Sequence, residues 1–398
     1  MEKVKLTDFC NISNGFAFKS EKYVNDNGAR VIRITNVQKG KIVDNDPKLY
    51  PFSELDKLEA YKIFEGDILM SLTGNVGRVG RFPKELLPAY INQRVCRVMP
   101  KNEKLDVNFL FHFLNSNMFE NDAVRNSAGA AQLNLSTNWL AEYEIPLPSL
   151  ATQQRIAAIL DQADAIIQNN RAIVQKYDAL TQSLFLDMFG DPVKNEKGWE
   201  KRKLNDFLEI LVDVGSNGGN DWVSANIKMK DEEDYALMIR TINLNKNDFE
   251  NNLKYVSEET YNLFKKTKVY GGEIIMNKIG SAGEFWLMPY LNRPVSLGLN
   301  QLMMTFKNLD KFYFYFYFST NYGKKLINSK LNGATTKSIT KTALRDLDIL
   351  YPPMELQNLF AERVAMIESQ KQQAQLELAK SEELFQSLLQ RAFKGELS

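Results

Sequence analysis

The chain has 398 residues, and its 44% hydrophobic and 25% charged content is ordinary for a globular protein. Its formal net charge is only +1, so overall charge does not by itself indicate a nucleic-acid binder. No apolar stretch reaches the roughly 18 residues of a membrane span, the first ten residues lack the apolar run of a signal peptide, and the two cysteines form no CxxC pair. We therefore expect a cytoplasmic protein of two or three domains.

Segments of the first half of the chain return in the second half in the same order, which indicates an internal repeat. KLTDF, for example, returns as KLNDF, and GDILMSLTGNVG returns as GEIIMNKIGSAG. The matched pairs are 5–9 with 203–207, 31–37 with 238–244, 66–77 with 272–283, 92–93 with 300–301, 129–136 with 333–340, 145–154 with 350–358, and 180–189 with 384–393. We predict a mixed α/β (α+β) fold with a pseudo-two-fold repeat: domain 1–148, helical segment 149–190, domain 191–352 and helical segment 353–398.

Short β-branched runs predict strands within the first domain. These runs are VIRITNV at 31–37, DILMSL at 67–72 and INQRVCRVM at 91–99. Glycine-containing segments between strand-like runs, at 74–77 and 280–283, predict hairpin turns.

One helix in each domain follows these strands. Asp106 is placed to cap a helix through FLFHFLNSN. The corresponding run in the second domain is the aromatic FYFYFYF at 312–318, which we expect to lie in the core rather than on a base-stacking surface.

Two long helices without internal Gly or Pro are predicted, one from Ser149 as N-cap to Gly190 and one over about 355–394. Apolar residues recur at heptad spacing in both, and Asn170 is a polar residue within the first stripe that is typical of a register-setting position. The predicted pairing positions are Ile156, Ile159, Ala163, Ile166, Asn170, Ile173, Tyr177, Leu180 and Leu184 in the first helix, and Phe360, Val364, Ile367, Ala374, Leu378, Phe385 and Leu388 in the second. We expect an antiparallel coiled coil; the alternative is that each helix docks on its own domain.

The sequence lacks the motifs of the common catalytic sites. It contains neither a GxxxxGK[ST] phosphate loop nor a GxGxxG fingerprint, and the Pro-Pro tetrapeptide of amino-methyltransferases is absent. The one histidine, His112, is expected in the core, so neither a Ser-His-acid triad nor a His/Cys metal cluster is possible. The sequence therefore predicts a binding protein without a catalytic or metal site.

Two segments are locally basic. Residues 70–101 hold six basic residues against Glu85, and residues 321–345 hold six basic residues and no acid. Such segments could neutralise DNA phosphates, and the alternative is that they are solvated basic faces without a ligand.

The chain resembles the specificity subunits of type I restriction-modification systems in three segments and in its order of elements, a mixed domain and a long helix that occur twice. The three segments are IPLPSLATQQRI at 145–156, GDILM with its following GNVG turn at 66–77, and LFQSLLQRAFKGEL at 384–397. The similarity covers the whole chain. The counterpart of the first segment, ILYPPMELQNLF at 349–360, lacks the Gln-Gln-Arg, a departure that we expect to leave the fold intact.

The resemblance implies that the two domains are target recognition domains, each reading one half of a split, asymmetric site in double-stranded DNA. It implies that the helices act as spacers and bind two modification (methyltransferase) subunits, which methylate adenine N6, and that restriction (translocase) subunits join them. S-adenosylmethionine, ATP and Mg²⁺ would be bound by those partners, and this chain would bind no cofactor and catalyse no reaction. A helix of roughly 35–40 residues is about 50–60 Å long, which exceeds one DNA turn of ~34–36 Å.

Polar residues in or beside the predicted turns are the candidates for DNA contact, since Arg pairs with guanine and Asn or Gln with adenine, whereas Lys and Ser more often hold phosphate. In the first domain they are Arg33, Asn36, Ser71, Thr73, Asn75, Arg78, Asn92, Gln93 and Arg94. In the second domain they are Arg240, Asn243, Asn277, Lys278, Ser281, Thr336 and Lys337. For the repeated Asn-Gln pair, a structural hydrogen bond within the domain is the alternative.

Other functions stay open at this stage. The chain could be the specificity subunit of a methyltransferase-nuclease fusion system, or a coiled-coil scaffold protein without a DNA role. A self-sufficient methyltransferase is disfavoured by the missing motifs.

Overall fold

The computed structural model describes residues 2–129 and 133–397. Positions 1, 130–132 and 398, which belong to the predicted segments 1–148 and 353–398, lie outside the described residues. The chain divides into two compact units, the first formed by Met1–Ala172 with Ala374–Ser398 and the second by Ile173–Gln373. The unit boundaries fall inside the two long helices, so each long helix contributes to both units.

The first unit is a mixed α/β structure. Its strands are β1 Lys3–Lys5, β2 Cys10–Asn14, β3 Gly28–Ile32, β4 Val37–Gln38, β5 Gly40–Ile42, β6 Leu49–Pro51, β7 Ile68–Ser71, β8 Val79–Arg81, β9 Ala89–Ile91, β10 Val95–Pro100 and β11 Glu144–Pro146. Its helices are α1 Leu6–Phe9, α2 Val107–Leu114, α3 Asn117–Arg125, α4 Thr137–Glu142 and the first part of α5 Leu150–Phe189. The main sheet has the order β2-β10-β7-β8-β5-β4, beside a three-stranded sheet β6-β3-β9 and the pair β1-β11.

The core of the first unit lies between one face of the main sheet and the helices. Met70 and Val98 of the sheet share a buried cluster with Phe109 of α2, Phe119 of α3 and Ile156 of α5. Burial of such side chains contributes about 1.5–3 kcal/mol each, so this layer supplies much of the stability of the unit.

The second unit has a similar composition of elements. Its strands are β12 Glu200–Lys203, β13 Leu208–Asp213, β14 Ala236–Met238, β15 Tyr255–Val256, β16 Lys268–Val269, β17 Ile274–Asn277, β18 Ile279–Gly280, β19 Phe285–Leu287, β20 Val295–Ser296, β21 Gln301–Phe306, β22 Lys337–Ser338 and β23 Asp348–Tyr351. Its helices are α6 Asn220–Asn226, α7 Thr241–Lys246, α8 Glu258–Leu263, α9 Lys311–Ser319, α10 Asn321–Asn328, α11 Lys341–Arg345 and the first part of α12 Met354–Lys394. The sheets are β13-β21-β17-β19, β15-β14-β20-β16, β12-β23 and β18-β22.

The two units repeat the same strand pairings, which confirms the predicted mixed fold and its internal repeat. In the first unit β10 pairs antiparallel with both β2 and β7, and in the second β21 pairs in the same way with β13 and β17. Likewise β3 runs parallel to β9, and β14 runs parallel to β20.

Both predicted hairpin turns are confirmed. Strand β7 pairs antiparallel with β8 across the segment 74–77, and β17 pairs antiparallel with β19 across 280–283. Gly74 and Gly77 have φ of 76° and 75°, in the left-handed region that glycine adopts without steric cost.

The predicted strand 31–37 is only partly correct. Strand β3 ends at Ile32, and the chain then turns, with the N–H of Arg33 donating to the Asn36 side chain at 2.9 Å. In the second unit, helix α7 begins at Thr241 within the corresponding segment 238–244. Asparagine side chains offer the backbone a local hydrogen-bond partner, and that alternative competes here with the strand.

The predicted helix after Asp106 is confirmed, and its repeat has the same cap. The Asp106 carboxylate accepts the N–H groups of Asn108 and Phe109, and Asp310 caps α9 in the same way. Four residues of the aromatic run in α9 are buried, so the run belongs to the core as expected. They are Tyr313, Phe314, Tyr317 and Phe318.

The two long helices pack on each other within each unit. In the second unit Asp178 binds Lys371 and Met188 contacts Arg363, so the helices run antiparallel there. In the first unit the amide of Asn170 donates to the Ser381 hydroxyl at 3.3 Å. The helices also contact their own domains, so the two arrangements that the sequence left open are both present.

The structure corrects the predicted register at alternate positions of the first helix. Ile166, Ile173 and Leu180 are exposed and Ile159 is half-buried, whereas Leu160, Ile167 and Thr181 are buried and Val174 is half-buried. The positions Ile156, Ala163, Asn170, Tyr177 and Leu184 are common to both phases of the heptad. The sequence could not decide between the phases because both neighbours at 159–160, 166–167 and 173–174 are apolar. All the predicted positions of the second helix are buried or half-buried.

Within the described residues, no helix combines the length and the apolarity that crossing a membrane requires.

Candidate nucleic-acid interface

Three loops of the first unit meet at one end of its main sheet. They are 72–78 between β7 and β8, 92–94 between β9 and β10, and the described residues 126–129 and 133–136 between α3 and α4, and together we call them the first loop cluster. Backbone hydrogen bonds join them: Leu72 donates to the carbonyl of Arg94, Gly74 to that of Leu133 and Leu135 to that of Leu72. The loops therefore form one surface on a shared backbone framework.

The corresponding loops of the second unit meet in the same way. They are 278–284, 297–300 and 329–340, the second loop cluster. The N–H of Lys278 donates to the carbonyl of Asn300 at 2.7 Å, and the N–H of Ile339 donates to the carbonyl of Lys278 at 3.0 Å. The short pair of strands β18 and β22 joins two of these loops.

Four of the predicted contact residues make intradomain contacts that recur in both units. Arg33 donates to the backbone carbonyl of Asp46, and Arg240 donates to that of Asn252.

The asparagines three residues further along behave in the same way: Asn36 and Asn243 are both buried and both donate to backbone carbonyls of the following loop. Because the same contacts occur in both units, these four side chains have a role in the framework of the two domains. That they also contact DNA stays a prediction.

Three further candidates are buried and shape the loops. Ser71 donates to the carbonyl of Asn75, and Thr73 donates to the Asn134 side chain at 3.1 Å, which joins the β7–β8 loop to the segment 133–136. In the second unit Asn277 accepts a hydrogen bond from Thr241 at 2.8 Å. The polar side chains of all three residues are therefore engaged within their own domain.

Six candidates are exposed in the loop clusters and remain the best placed for DNA contact. The exposed candidates are Asn75, Gln93 and Arg94 in the first cluster and Ser281, Thr336 and Lys337 in the second. Arg78 is half-buried, 3.4 Å from Glu120 and 3.3 Å from the Gln38 side chain, and Asn92 is also half-buried.

The two Asn-Gln pairs, at 92–93 and 300–301, do not occupy equivalent positions in the two units. Val95 lies opposite Ser71 in the first unit, and Gln301 lies opposite Asn277 in the second, so Gln301 corresponds to Val95 and not to Gln93. Gln301 is buried and accepts the N–H of Gly298 at 3.0 Å, whereas Gln93 is exposed. The structural alternative therefore holds for Gln301 alone.

An acidic residue that sequence reasoning missed lies beside the second loop cluster. Asp213, at the end of β13, accepts hydrogen bonds from Lys278 at 2.7 Å, Lys341 at 2.9 Å and Ser216 at 2.9 Å. Burial raises the pKa of Asp213, but the hydrogen bonds from the two lysines and Ser216 more than offset this and hold the pKa well below its usual range. The carboxylate is therefore ionised at neutral pH.

The basic segment 70–101 does not form one patch. Arg97 pairs with Asp67, and the Arg81 guanidinium lies 4.6 Å from the ring of Phe111, while Arg94 is exposed in the first loop cluster.

The segment 321–345 keeps more exposed charge. Lys330 binds Asp346 and Lys341 binds Asp213. The exposed basic residues of this segment are Lys324, Lys325, Lys337 and Arg345.

His112 lies in the core, as expected. Its Nε2 is 2.7 Å from the Asp161 carboxylate of α5. Burial lowers the pKa of His112, and Asp161 offsets only part of that effect. Among residues 2–129 and 133–397, the structure contains no group of three His, Cys, Asp or Glu residues that could hold a metal ion.

Comparisons with known proteins agree with this geometry. A family model described as the type I restriction modification DNA specificity domain matches residues 1–176 and 196–378. The chain is 24% identical to the type I restriction enzyme EcoBI specificity subunit of Escherichia coli, over 100% of this chain and 86% of the relative. It is 25% identical to the EcoKI specificity subunit of Escherichia coli strain K12, over 96% and 86%. It is 32% identical to the MjaVIII specificity subunit of Methanocaldococcus jannaschii, over 43% and 41%.

Solved structures show the same fold. The crystal structure of the type I restriction-modification S subunit from M. genitalium matches with a TM-score of 0.55 at 14% identity, over 98% of this chain and 96% of that one. A solved structure described as the structural basis of complex assembly and conformational transition of the type I R-M system contains a chain that matches with a TM-score of 0.57 at 16% identity. The match covers 99% of this chain and 98% of that one.

Proposed function

We propose, since this chain belongs to the family of type I restriction modification DNA specificity domains, that each of its two loop clusters reads one half of a split, asymmetric DNA site. The chain is a DNA specificity subunit. The observation that carries the assignment to the loop clusters is the contrast between the two units: their framework contacts are the same, but their exposed loop residues differ. Asn75 corresponds to Ser281, and Arg94 corresponds to Asn300.

These differences are of the kind that distinguishes bases. An arginine can donate two hydrogen bonds to guanine, and an asparagine can pair with adenine, each worth about 1–3 kcal/mol of discrimination. A chain with Arg94 in one cluster and Asn300 at the equivalent position of the other should therefore read two different half-sites.

An exposed apolar stripe on helix α5 supports the assignment of the partner subunits. Besides the buried stripe, helix α5 carries Ile166, Ile173 and Leu180 at a spacing of one heptad, and all three are exposed. A second apolar stripe on a helix that is already paired can pack against helices of another subunit. We assign it to two modification subunits, with restriction subunits joining the complex.

In this assignment the chain itself is not an enzyme. S-adenosylmethionine, ATP and Mg²⁺ belong to the partner subunits, and the complex acts on DNA in the cytoplasm. The sequence supports this division because the motifs for nucleotide, dinucleotide and methyl-donor binding are missing from it.

The test is the DNA methylation that the chain directs. The full chain is expressed with its modification partner in a host free of such methylation, and modified adenines are mapped by single-molecule sequencing. The expected result is one bipartite motif with two different halves. Methylation without a motif, or a motif that is unchanged when this chain is omitted, would contradict the proposal.

A further inference from the structure

The carboxylate of Asp213 binds a lysine through each of its two oxygens. Oδ2 accepts from Lys278 at 2.7 Å and Oδ1 accepts from Lys341 at 2.9 Å. The Asp213 side chain is only 8% exposed, whereas the lysine side chains are 27% and 31% exposed. The anion therefore lies below the surface and the two ammonium groups lie nearer to solvent.

The lysine pair lies where the loops of the second cluster meet. Lys278 directly precedes the exposed segment 279–281, and its backbone binds both Asn300 and Ile339. Lys341 is the first residue of α11, directly after the exposed segment 332–337 and Thr340. A ligand that covers these loops would also cover the two ammonium groups.

Donor capacity remains on both lysines. An ammonium group has three N–H donors. Among the contacts of the described residues, Lys278 uses one donor for Asp213, and Lys341 uses two, for Asp213 and Ser216. Three donors therefore remain for solvent or a ligand. The cluster of two cations and one anion has a net charge of +1, which matches one phosphate group.

We propose that Lys278 and Lys341, held together by Asp213, bind one phosphate of the DNA backbone beside the half-site that the second loop cluster reads. This inference rests on the proposed function. Lys278 and Lys341 are the binding residues, and Asp213 is a positioning residue that does not touch the DNA. Phosphate contacts fix the register of a protein on the duplex, so the pair would align the second cluster with its bases.

At the corresponding positions of the first unit, all of which the structure describes, there is no such pair. Strand register places Asn14 at the position of Asp213. Leu72 lies two residues after Met70, as Lys278 lies two residues after Met276, and Thr137 begins α4 as Lys341 begins α11. The cluster is therefore not part of the common framework, unlike the contacts of Arg33 and Arg240. It is a property of the second domain.

The competing explanation is a salt bridge that only ties loops to β13. The two explanations differ in the salt dependence of DNA binding by the lysine variants, because only the loss of a phosphate contact makes that dependence shallower. The variant Asp213→Asn tests the role of the carboxylate: if Asp213 only repels DNA as a nearby anion, its removal should tighten binding to every duplex. If it positions the lysines, affinity for the cognate duplex should fall although a negative charge has been removed, while affinity for random DNA stays the same or rises.

The experiment measures binding of the full chain, in complex with its modification partner, to a duplex with the methylated motif and to a random duplex of the same length, over a range of salt concentrations. Lys278→Gln and Lys341→Gln each bring the cluster to zero net charge. Each should weaken cognate binding about tenfold and make the slope of log K against log salt shallower by about 0.9. Lys201→Gln, an exposed lysine of β12 in the same unit, is the matched control and should change neither quantity.

A variant with all three residues replaced by amides leaves no unpaired charge. It should show the same shallower slope as the single variants, which separates loss of the phosphate contact from a local rearrangement around the charged Asp213. Unchanged slopes and affinities in the folded lysine variants, or tighter cognate binding by Asp213→Asn, would overturn the inference and leave the proposed function standing. If the wild-type complex does not prefer the motif duplex, the proposed function fails first, and the inference fails with it.

Discussion

The side-chain oxygen of Gln153 in α5 accepts the backbone N–H of Asp106 at 2.8 Å, and Asp106 in turn caps helix α2. The Gln153 amide donates to the carbonyls of Lys104 and Pro148. The second unit has the same arrangement, since Gln357 accepts the N–H of Asp310 at 2.9 Å and donates to the carbonyl of Pro352. Each long helix is thus joined to its domain by a fully buried glutamine.

Replacing Gln153 with leucine should destabilise the first unit. The change removes the side chain that binds the N–H of Asp106 and the carbonyls of Lys104 and Pro148, and each such group that is left without a partner away from water costs about 1–3 kcal/mol. We expect a loss of at least about 2 kcal/mol of unfolding free energy in denaturant titration. The neighbouring exposed Gln154→Leu is the control and should change it by less than about 0.5 kcal/mol. Equal stability of the two variants would contradict the anchoring role.

His112 predicts a defined pH dependence of stability. Its pKa in the folded protein is lowered by burial, so the unfolded chain binds more protons than the folded one just below the ordinary histidine pKa. Stability should therefore fall as the pH drops from about 7.5 to about 5.5, across the ordinary value of about 6.5. In His112→Gln the fall in melting temperature over this range should be smaller. A fall of the same size would show that other groups cause it.

Arg94 should specify bases in one half-site only. It is exposed in the first loop cluster, and replacing it with alanine should cost about 1–3 kcal/mol of discrimination at one position. The methylated motif should become degenerate there and stay unchanged in the other half. Lys84→Ala, an exposed basic residue of the same domain outside the loop cluster, should leave the motif intact. A motif relaxed in both halves would refute the assignment of Arg94.

The helices should set the gap between the half-sites. One heptad inserted after Asn170 and one after Ala374 keep the apolar stripes in phase. The insertions add about 10 Å of helix, equal to up to roughly 3 base pairs. We expect the half-sites to remain while the gap between them lengthens. A functional insertion variant that still methylates only the original spacing would contradict the spacer role.

The internal repeat made most of the fold predictable, because the same elements appear twice in the same order. The phase of the first helix was not predictable, since Ile166 and Ile167 are both apolar and tertiary packing alone selects Ile167. The repeat does not by itself distinguish contact residues from framework residues, because Arg33 and Arg240 make the same intradomain hydrogen bond in the two units. Asp213 gave no sequence signal, since its lysine partners lie 65 and 128 residues away.

The exchange of one domain tests the central claim most directly. Residues 1–148 are replaced by the corresponding domain of a specificity subunit with a different target, at the boundary before Ser149, and the methylated motif is read before and after the exchange. We predict that one half of the motif changes to that of the donor and that the other half is unchanged. A change in both halves, or in neither, by a variant that still methylates DNA would contradict the account.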